Sequence, residues 1–361
     1  MKKIPWWWTE FASGEAEAAA KAITEGMLSQ GPLVAEFERK LANYLGVSHV
    51  VATTSGSDAL LLALWAAGIG PGDEVLVPNW TWIATAHSAL LLGAVPIIVD
   101  TDNDRPVISL ADLERKVSEK TKAVIPVHIN GRDAHIDDVL KFGARHKLKV
   151  IEDAAQALGS RDSSGAFLGT KSLAGCFSLS VAKVISSGQG GFIASNDDEF
   201  AVQLRLMRTH GLESTVEPKN WKRPGFNFRF TDVLASIGLE QLKKLDTRLN
   251  RLREIYEKYS EELASVSTLK LINMDICRGE IGPYIEVLCK EREALAGHLG
   301  SFGIETRVFY PNLDNSNYFV KGVSNPNSIK FGRDGLYLPS GPALTDDLID
   351  FVISKIKGFS V

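Results

Sequence analysis

Cysteine is scarce in this chain of 361 residues. The three, Cys176, Cys277 and Cys289, are odd in number and too widely spaced for a disulfide framework or a metal cage. That scarcity favours a reducing compartment, and the expected location is the cytoplasm. Strong charge is missing too: a net −4 is too mild to imply nucleic acid or an anionic membrane as a partner. No apolar run reaches spanning length before Gly, Pro, Asn or His interrupts it. The opening Met1-Lys-Lys-Ile-Pro-Trp-Trp-Trp8 has basic residues but no apolar stretch before a small-residue cleavage site, so it does not read as a signal peptide. Internal repeats and low-complexity segments are absent. What remains is 45% hydrophobic and 23% charged, the profile of a globular protein with one large domain and a smaller one.

The apolar patterning alternates between periods of two and 3.6 residues. Strands are expected over 49–53, 74–78, 95–100, 123–127, 149–153 and 191–195, with helices over 57–68, 81–92 and 136–147 between them. Strands separated by helices of ten or more residues predict an α/β fold with a mostly parallel sheet covered on both faces. Two amphipathic helices, 14–26 and 33–45, precede the first strand, and one long helix is expected from 231 to about 253. The domain boundary is placed there: residues 1–245 form the large domain and 246–361 a compact C-terminal α/β lobe. Strands over 284–288 and 305–308 and a last helix over 345–357 belong to that lobe. The tryptophan cluster at 6–8 suits a wedge between lobes or subunits better than catalysis.

Several short runs carry chemistry. Thr54-Ser-Gly-Ser-Asp-Ala59 ends a strand and opens a helix, where unpaired N–H groups and the positive dipole end make a phosphate cup. Taken alone it reads first as an ordinary Ser/Asp N-cap. Asp153 closes an apolar strand, so its carboxylate is buried and needs a cation, either a protonated pyridine nitrogen or an arginine. Gln156 could reach a ring hydroxyl or lie on the surface. Trp82 offers a flat wall for a flat ring, although a core aromatic is the default. Lys183, in a run that closes with Gly188-Gln-Gly-Gly191, completes the set. A Schiff-base lysine needs a lowered pKa, and a pyridine ring works as an electron sink when a carboxylate keeps its nitrogen protonated. Lys183 and Asp153 look like the two halves of a pyridoxal phosphate site.

In order along the chain, these motifs resemble the DegT/DnrJ/StrS family of pyridoxal-phosphate sugar aminotransferases, within fold type I. Ser55-Gly-Ser-Asp-Ala-Leu60 resembles its phosphate segment, and Ile151-Glu-Asp-Ala-Ala-Gln156 and Phe177 to Gly191 resemble its two most specific motifs. Gly225-Phe-Asn-Phe-Arg-Phe-Thr-Asp232 resembles its GYNYRMTD helix entry. The resemblance implies that Lys183 holds pyridoxal 5'-phosphate as a Schiff base and shuttles the proton. It implies that Asp153 pairs with the pyridine nitrogen, Gln156 with the phenolic oxygen, and Trp82 with the ring face. Gly56, Ser57 and Ser178 would bind the phosphate, with Asn227 reaching it from the partner subunit of a homodimer. Ser180, Gln189 and the stretch 128–133 depart from the commoner family pattern at positions expected on the substrate side, and Arg132 and Arg307 are candidate substrate contacts. The expected reaction moves an amino group from glutamate or glutamine to a keto group of a nucleotide-linked sugar. A cyclitol or small keto acceptor, or a non-catalytic cofactor-binding regulator, are the alternatives.

Overall fold

The structure, a computed structural model, describes residues 3–214, 217–319 and 324–360. Two helices lead: α1 (Ser13–Thr24) and α2 (Pro32–Leu45). Pro32 stands in the first turn of α2, where its missing N–H costs nothing, and Gly46 ends the helix in the left-handed region at φ 68°. Val34, Phe37, Leu41 and Leu45 make its buried stripe.

The alternating units follow: β1 (His49–Thr53), α3 (Gly56–Ala66), β2 (Glu74–Pro78), α4 (Ala84–Leu90), β3 (Val95–Val99), α5 (Leu110–Lys116), β4 (Thr121–Val124), α6 (Ile136–His146), β5 (Lys149–Asp153), β6 (Ala174–Ser178), β7 (Gly191–Ser195) and α7 (Asp198–Arg208). The seven strands lie in the order β1-β7-β6-β5-β4-β2-β3. All neighbours are parallel except β7, which runs antiparallel to both β1 and β6. The fold is therefore the expected α/β type with a mostly parallel sheet. Strands such as β6 and β7 are buried on both faces, so they read as apolar runs rather than as alternations.

The helix expected from 231 to about 253 is two: α8 (Asp232–Leu242) and α9 (Leu245–Leu263). The chain turns at Lys243-Lys244 because α8 lies on α1 and α2, whereas α9 leaves along a different line across both lobes. Leu245, Leu249 and Leu252 of α9 belong to the core that also holds Phe37 and Phe177. Ile255, Tyr256, Tyr259 and Leu263 belong to the core of the C-terminal lobe.

That lobe holds β8 (Lys270–Leu271), β9 (Ile285–Leu288), α10 (Arg292–Ser301), β10 (Arg307–Val308), α11 (Pro326–Asp334), β11 (Gly335–Leu338) and α12 (Asp346–Lys357). Its antiparallel sheet runs β10-β11-β9-β8. The segment ahead of α1 crosses between the lobes. Ile4 bridges to Ile304 in the small lobe's core, and the Ser340 N–H donates to Trp6 O at 2.9 Å. Among the described residues no helix is long and apolar enough to cross a membrane. All three cysteines are free.

Candidate active site

The strand ends β1, β5 and β6 converge on a cavity of about 410 Å3 between the two lobes. Its floor at the β1–α3 turn depends on close approach. A Cβ on Gly56 would stand 2.9 Å from Ser178 Cβ, and one on Gly191 would stand 2.4 Å from the Ser55 carbonyl carbon. Only glycine lets the three segments meet there. Ser55 caps α3 by accepting the Asp58 N–H at 3.0 Å, which leaves the N–H groups of Gly56 and Ser57 at the helix start facing the cavity. With the hydroxyls of Ser57, Ser178 and Ser180 they form a donor-rich cup at a positive dipole end, suited to an anion.

Asp153 ends β5, is 5% exposed, and lines the same cavity. Its Oδ2 accepts from the Thr85 hydroxyl at 2.7 Å and its Oδ1 from Ala155 N–H at 3.2 Å. Among the described residues no cation forms an ion pair with it, although the adjacent Glu152 is paired with His128. Burial therefore pushes its pKa up against those two hydrogen bonds. Lys183 lies in the loop between β6 and β7. Lys183 lines the cavity and is partly exposed, with protein packed around it. The packing governs: burial pushes its pKa down to about 8, Asp153 opposes that, and Arg307 adds to it.

Trp82 lines the cavity and is 50% exposed, while Trp80 is fully buried and stacks on Tyr310 at 5.1 Å. Between the two indoles, only Trp82 is available to a ligand. Gln156 accepts the Asn130 N–H with Oε1 at 2.8 Å, so its amide NH2 is turned toward the cavity wall, beside the Tyr310 hydroxyl. Ser180, Gln189 and Arg307 also line it, with the Arg307 guanidinium 5.0 Å over the Trp6 ring.

Two expected contacts lie outside this cavity: Arg132, expected on the substrate side, and Asn227, whose expected place is the site of a partner subunit. Arg132 is fully buried, paired with Glu286 of β9 and donating to the carbonyls of Asn273 at 2.9 Å and Ile272 at 3.1 Å. It joins the lobes and does not face the cavity. The stretch around it follows suit: Asn130 exchanges hydrogen bonds with the backbone of Tyr284, and His128 is sealed against Glu152. These departures from the family pattern serve the lobe junction, because their partners come from the small lobe and the sheet interior. Asn227 is exposed, bridged to Thr209, and outside the cavity of its own chain.

The sequence reading missed four aromatic side chains in the cavity wall: Trp6, Tyr284, Tyr310 and Tyr337. They come from four separate segments and their rings meet only in the fold, as in the Trp6–Tyr284 and Tyr284–Tyr337 contacts at 5.6 and 5.3 Å. The one local signal was Tyr310, three residues beyond Arg307 in the same run.

The residues present fit pyridoxal 5'-phosphate. An anion cup, a buried carboxylate without an ionic partner among the described residues, an amine of lowered pKa and an open indole match its phosphate, pyridine nitrogen, aldehyde and ring.

Comparison with known proteins agrees. The sequence model of the DegT/DnrJ/EryC1/StrS aminotransferase family matches residues 10–357. A GDP-perosamine synthase of Caulobacter vibrioides is 36% identical over 347 residues, spanning 92% of this chain and 91% of that one. A GDP-perosamine synthase of Escherichia coli O157:H7 is 33% identical, spanning 99% of each. Among solved structures, S. venezuelae DesV in complex with a ketimine intermediate superposes with a TM-score of 0.93 at 30% identity, covering 99% of this chain and 98% of that one.

Proposed function

The chain belongs to the DegT/DnrJ/EryC1/StrS aminotransferase family, and on that premise we propose that it moves an amino group from glutamate or glutamine to a keto group of a nucleotide-linked sugar. The observation that carries the reading is the pairing, in one cavity, of a lysine with pKa lowered to about 8 and a buried carboxylate with no ionic partner among the described residues. The two relatives named GDP-perosamine synthases support a GDP-linked acceptor.

Enzymes of this family depend on pyridoxal 5'-phosphate, which when bound supplies an electron sink for the carbon losing or gaining its proton. The chain's own residues do the rest. The N–H groups and hydroxyls at Gly56, Ser57 and Ser178 bind the phosphate, and Trp82 covers the ring face. Asp153 keeps a positive charge on the pyridine nitrogen, for which its unpaired carboxylate is suited. Gln156 NH2 donates to the phenolic oxygen. Lys183 Nζ would hold the cofactor through its aldehyde and, when free, would take the proton from the substrate carbon and return it. An amine with a pKa near 8 does both at neutral pH. Arg307 faces the anionic substrates. Asn227, exposed on its loop, completes the phosphate site of a second copy, so that the working unit is a homodimer. The division near residue 245 assigns cofactor binding to the larger part, and the cytoplasm is the proposed location.

The test is a pair of half-reactions followed by absorbance. Glutamate or glutamine should bleach the lysine-linked cofactor, and a GDP-linked ketosugar should restore it. Restoration by keto acids or cyclitols alone, and by no nucleotide sugar, refutes the acceptor class.

A further inference from the structure

Lys183 is carried by an irregular loop, and loops hold functional side chains less accurately than strands or helices do. Here four consecutive carbonyls of that loop are each caught by a side chain from a distant segment. The Thr9 hydroxyl donates to Val181 O at 2.7 Å and shares its hydrogen with Lys183 O at 2.9 Å. The Tyr284 hydroxyl, from the small lobe, donates to Ala182 O at 2.5 Å. Arg248 Nη1, from α9, donates to Val184 O at 2.9 Å. Thr9 is itself oriented: the Trp7 indole N–H donates to its oxygen at 2.8 Å, which points the hydroxyl hydrogen at the loop. Trp7 and Thr9 are both buried.

The segment carrying Trp7 and Thr9 is fixed at both ends. On one side Ile4 pairs with the 303–305 backbone and Trp6 O accepts from Ser340, both in the small lobe. On the other, Glu10 O accepts from Gln241 at 3.0 Å and from Arg248 at 2.6 Å. Arg248 thus binds this segment and the lysine loop at once.

We propose that the segment Ile4–Glu10 is a brace for the lysine loop, with Thr9 a positioning residue for Lys183 and Trp7 the group that aims it. This rests on the reading of Lys183 as the cofactor lysine. It gives the N-terminal tryptophan cluster a task in the chemistry although Trp7 never touches substrate. It also makes the position of Lys183 depend on the small lobe, since the lobe holds both the brace and Tyr284.

The experiment compares Thr9→Val, which keeps shape and removes the hydroxyl, with Thr9→Ser, which keeps the hydroxyl. Each is measured as holoenzyme with pyridoxal 5'-phosphate in three ways: the pH midpoint of the lysine-linked absorbance, the single-turnover rate with glutamate, and amide exchange over 179–187. In Thr9→Val the midpoint should move, exchange should quicken, and the rate should fall about 10- to 100-fold, the scale expected of a small misplacement at a reacting centre. The glutamate concentration that half-saturates the single-turnover rate should stay within about twofold, as for a group that acts on the reacting geometry rather than on binding. Thr9→Ser should restore all three. A Thr9→Val protein with wild-type midpoint and rate overturns the proposal, as does Thr9→Ser impaired as badly as Thr9→Val. Should Thr9→Val not fold, Trp7→Phe decides: a slower single turnover with a moved midpoint supports the brace, and wild-type values overturn it. Lys183→Ala separates the two readings. If it retains the linked absorbance, the assignment of Lys183 fails; if it loses it while Thr9→Val behaves as wild type, only the brace fails.

Discussion

Asp153→Asn should move the stability of the cofactor-free and cofactor-loaded enzyme in opposite directions. The substitution keeps the shape and both contacts. The amide oxygen can accept from Ala155 N–H, and the NH2 can donate to Thr85 Oγ1. The Thr85 hydroxyl then turns to Thr81 Oγ1, 2.9 Å away, or Trp82 O, 3.1 Å away. Only the charge is lost. An ionised carboxylate this deeply buried costs several kcal/mol of desolvation, and two hydrogen bonds to it return about 1.5–3 kcal/mol each. The raised pKa shows that the balance stays unfavourable, so the cofactor-free wild type is strained at neutral pH; relief of about 1–2 kcal/mol, set against a melting entropy of about 2.1 cal/mol/K per residue, should raise the variant's melting point roughly 1–3 °C. Because burial raises the folded pKa of Asp153, the native state binds more protons than the unfolded one over that interval. Wild-type stability therefore falls as pH rises from the usual carboxylate range to the raised value, and the variant escapes that fall. With cofactor bound the sign reverses. Losing the partner of a buried cation costs about 3–4 kcal/mol, a roughly 10²- to 10³-fold weaker Kd, and catalysis suffers with it. Calorimetry of both proteins, with and without pyridoxal 5'-phosphate, checks each arm. Equal destabilisation of the two forms, with Kd unchanged, refutes the pairing.

Arg132→Met should cost about 3–5 kcal/mol by leaving Glu286 buried and unpaired, while the KM values of both substrates hold; denaturant unfolding and steady-state kinetics read the two. Gly56→Ala should weaken both pyridoxal 5'-phosphate and inorganic phosphate about tenfold, since the new methyl must displace the Ser178 end of β6; equilibrium dialysis measures it. Trp82→Ala should raise the cofactor Kd roughly 3- to 10-fold through the lost ring contact, with Trp82→Phe near wild type. Arg307→Ala should raise the KM of an anionic substrate without lowering the rate of the donor half-reaction at saturation, by loss of binding common to ground and transition states.

The sheet was legible because β1, β2, β5 and β7 are buried apolar runs punctuated by charged or glycine-bearing turns, and their bounds match the expected ones. The residues of the cavity floor were legible for a related reason: Gly56, Asp153 and Gln156 sit at strand ends, where an open α/β sheet puts its ligands. Arg132 was not. A guanidinium bound for a substrate and one sealed between lobes look alike in one dimension, and its partner Glu286 lies 154 residues away. The tyrosines in the cavity wall were hidden likewise, because they come from separate segments of the small lobe and their rings meet only once that lobe has folded. The break between α8 and α9 escaped notice because both halves share helical spacing; only their different packing partners separate them.

Helix α9 contributes its first turns to one hydrophobic core and its last turns to the other, and this decides where such proteins can be recombined. A chimera joined at residue 245 would set a foreign Leu249 and Leu252 against the resident sheet, together with a foreign Arg248 beneath the lysine loop. A junction after Leu263 would instead present a foreign small lobe with a resident Tyr256 and Tyr259. Neither cut is clean. Recombinants that exchange acceptor specificity should therefore survive when α9 is cut between Leu252 and Ile255, each stretch inherited with the core it fills.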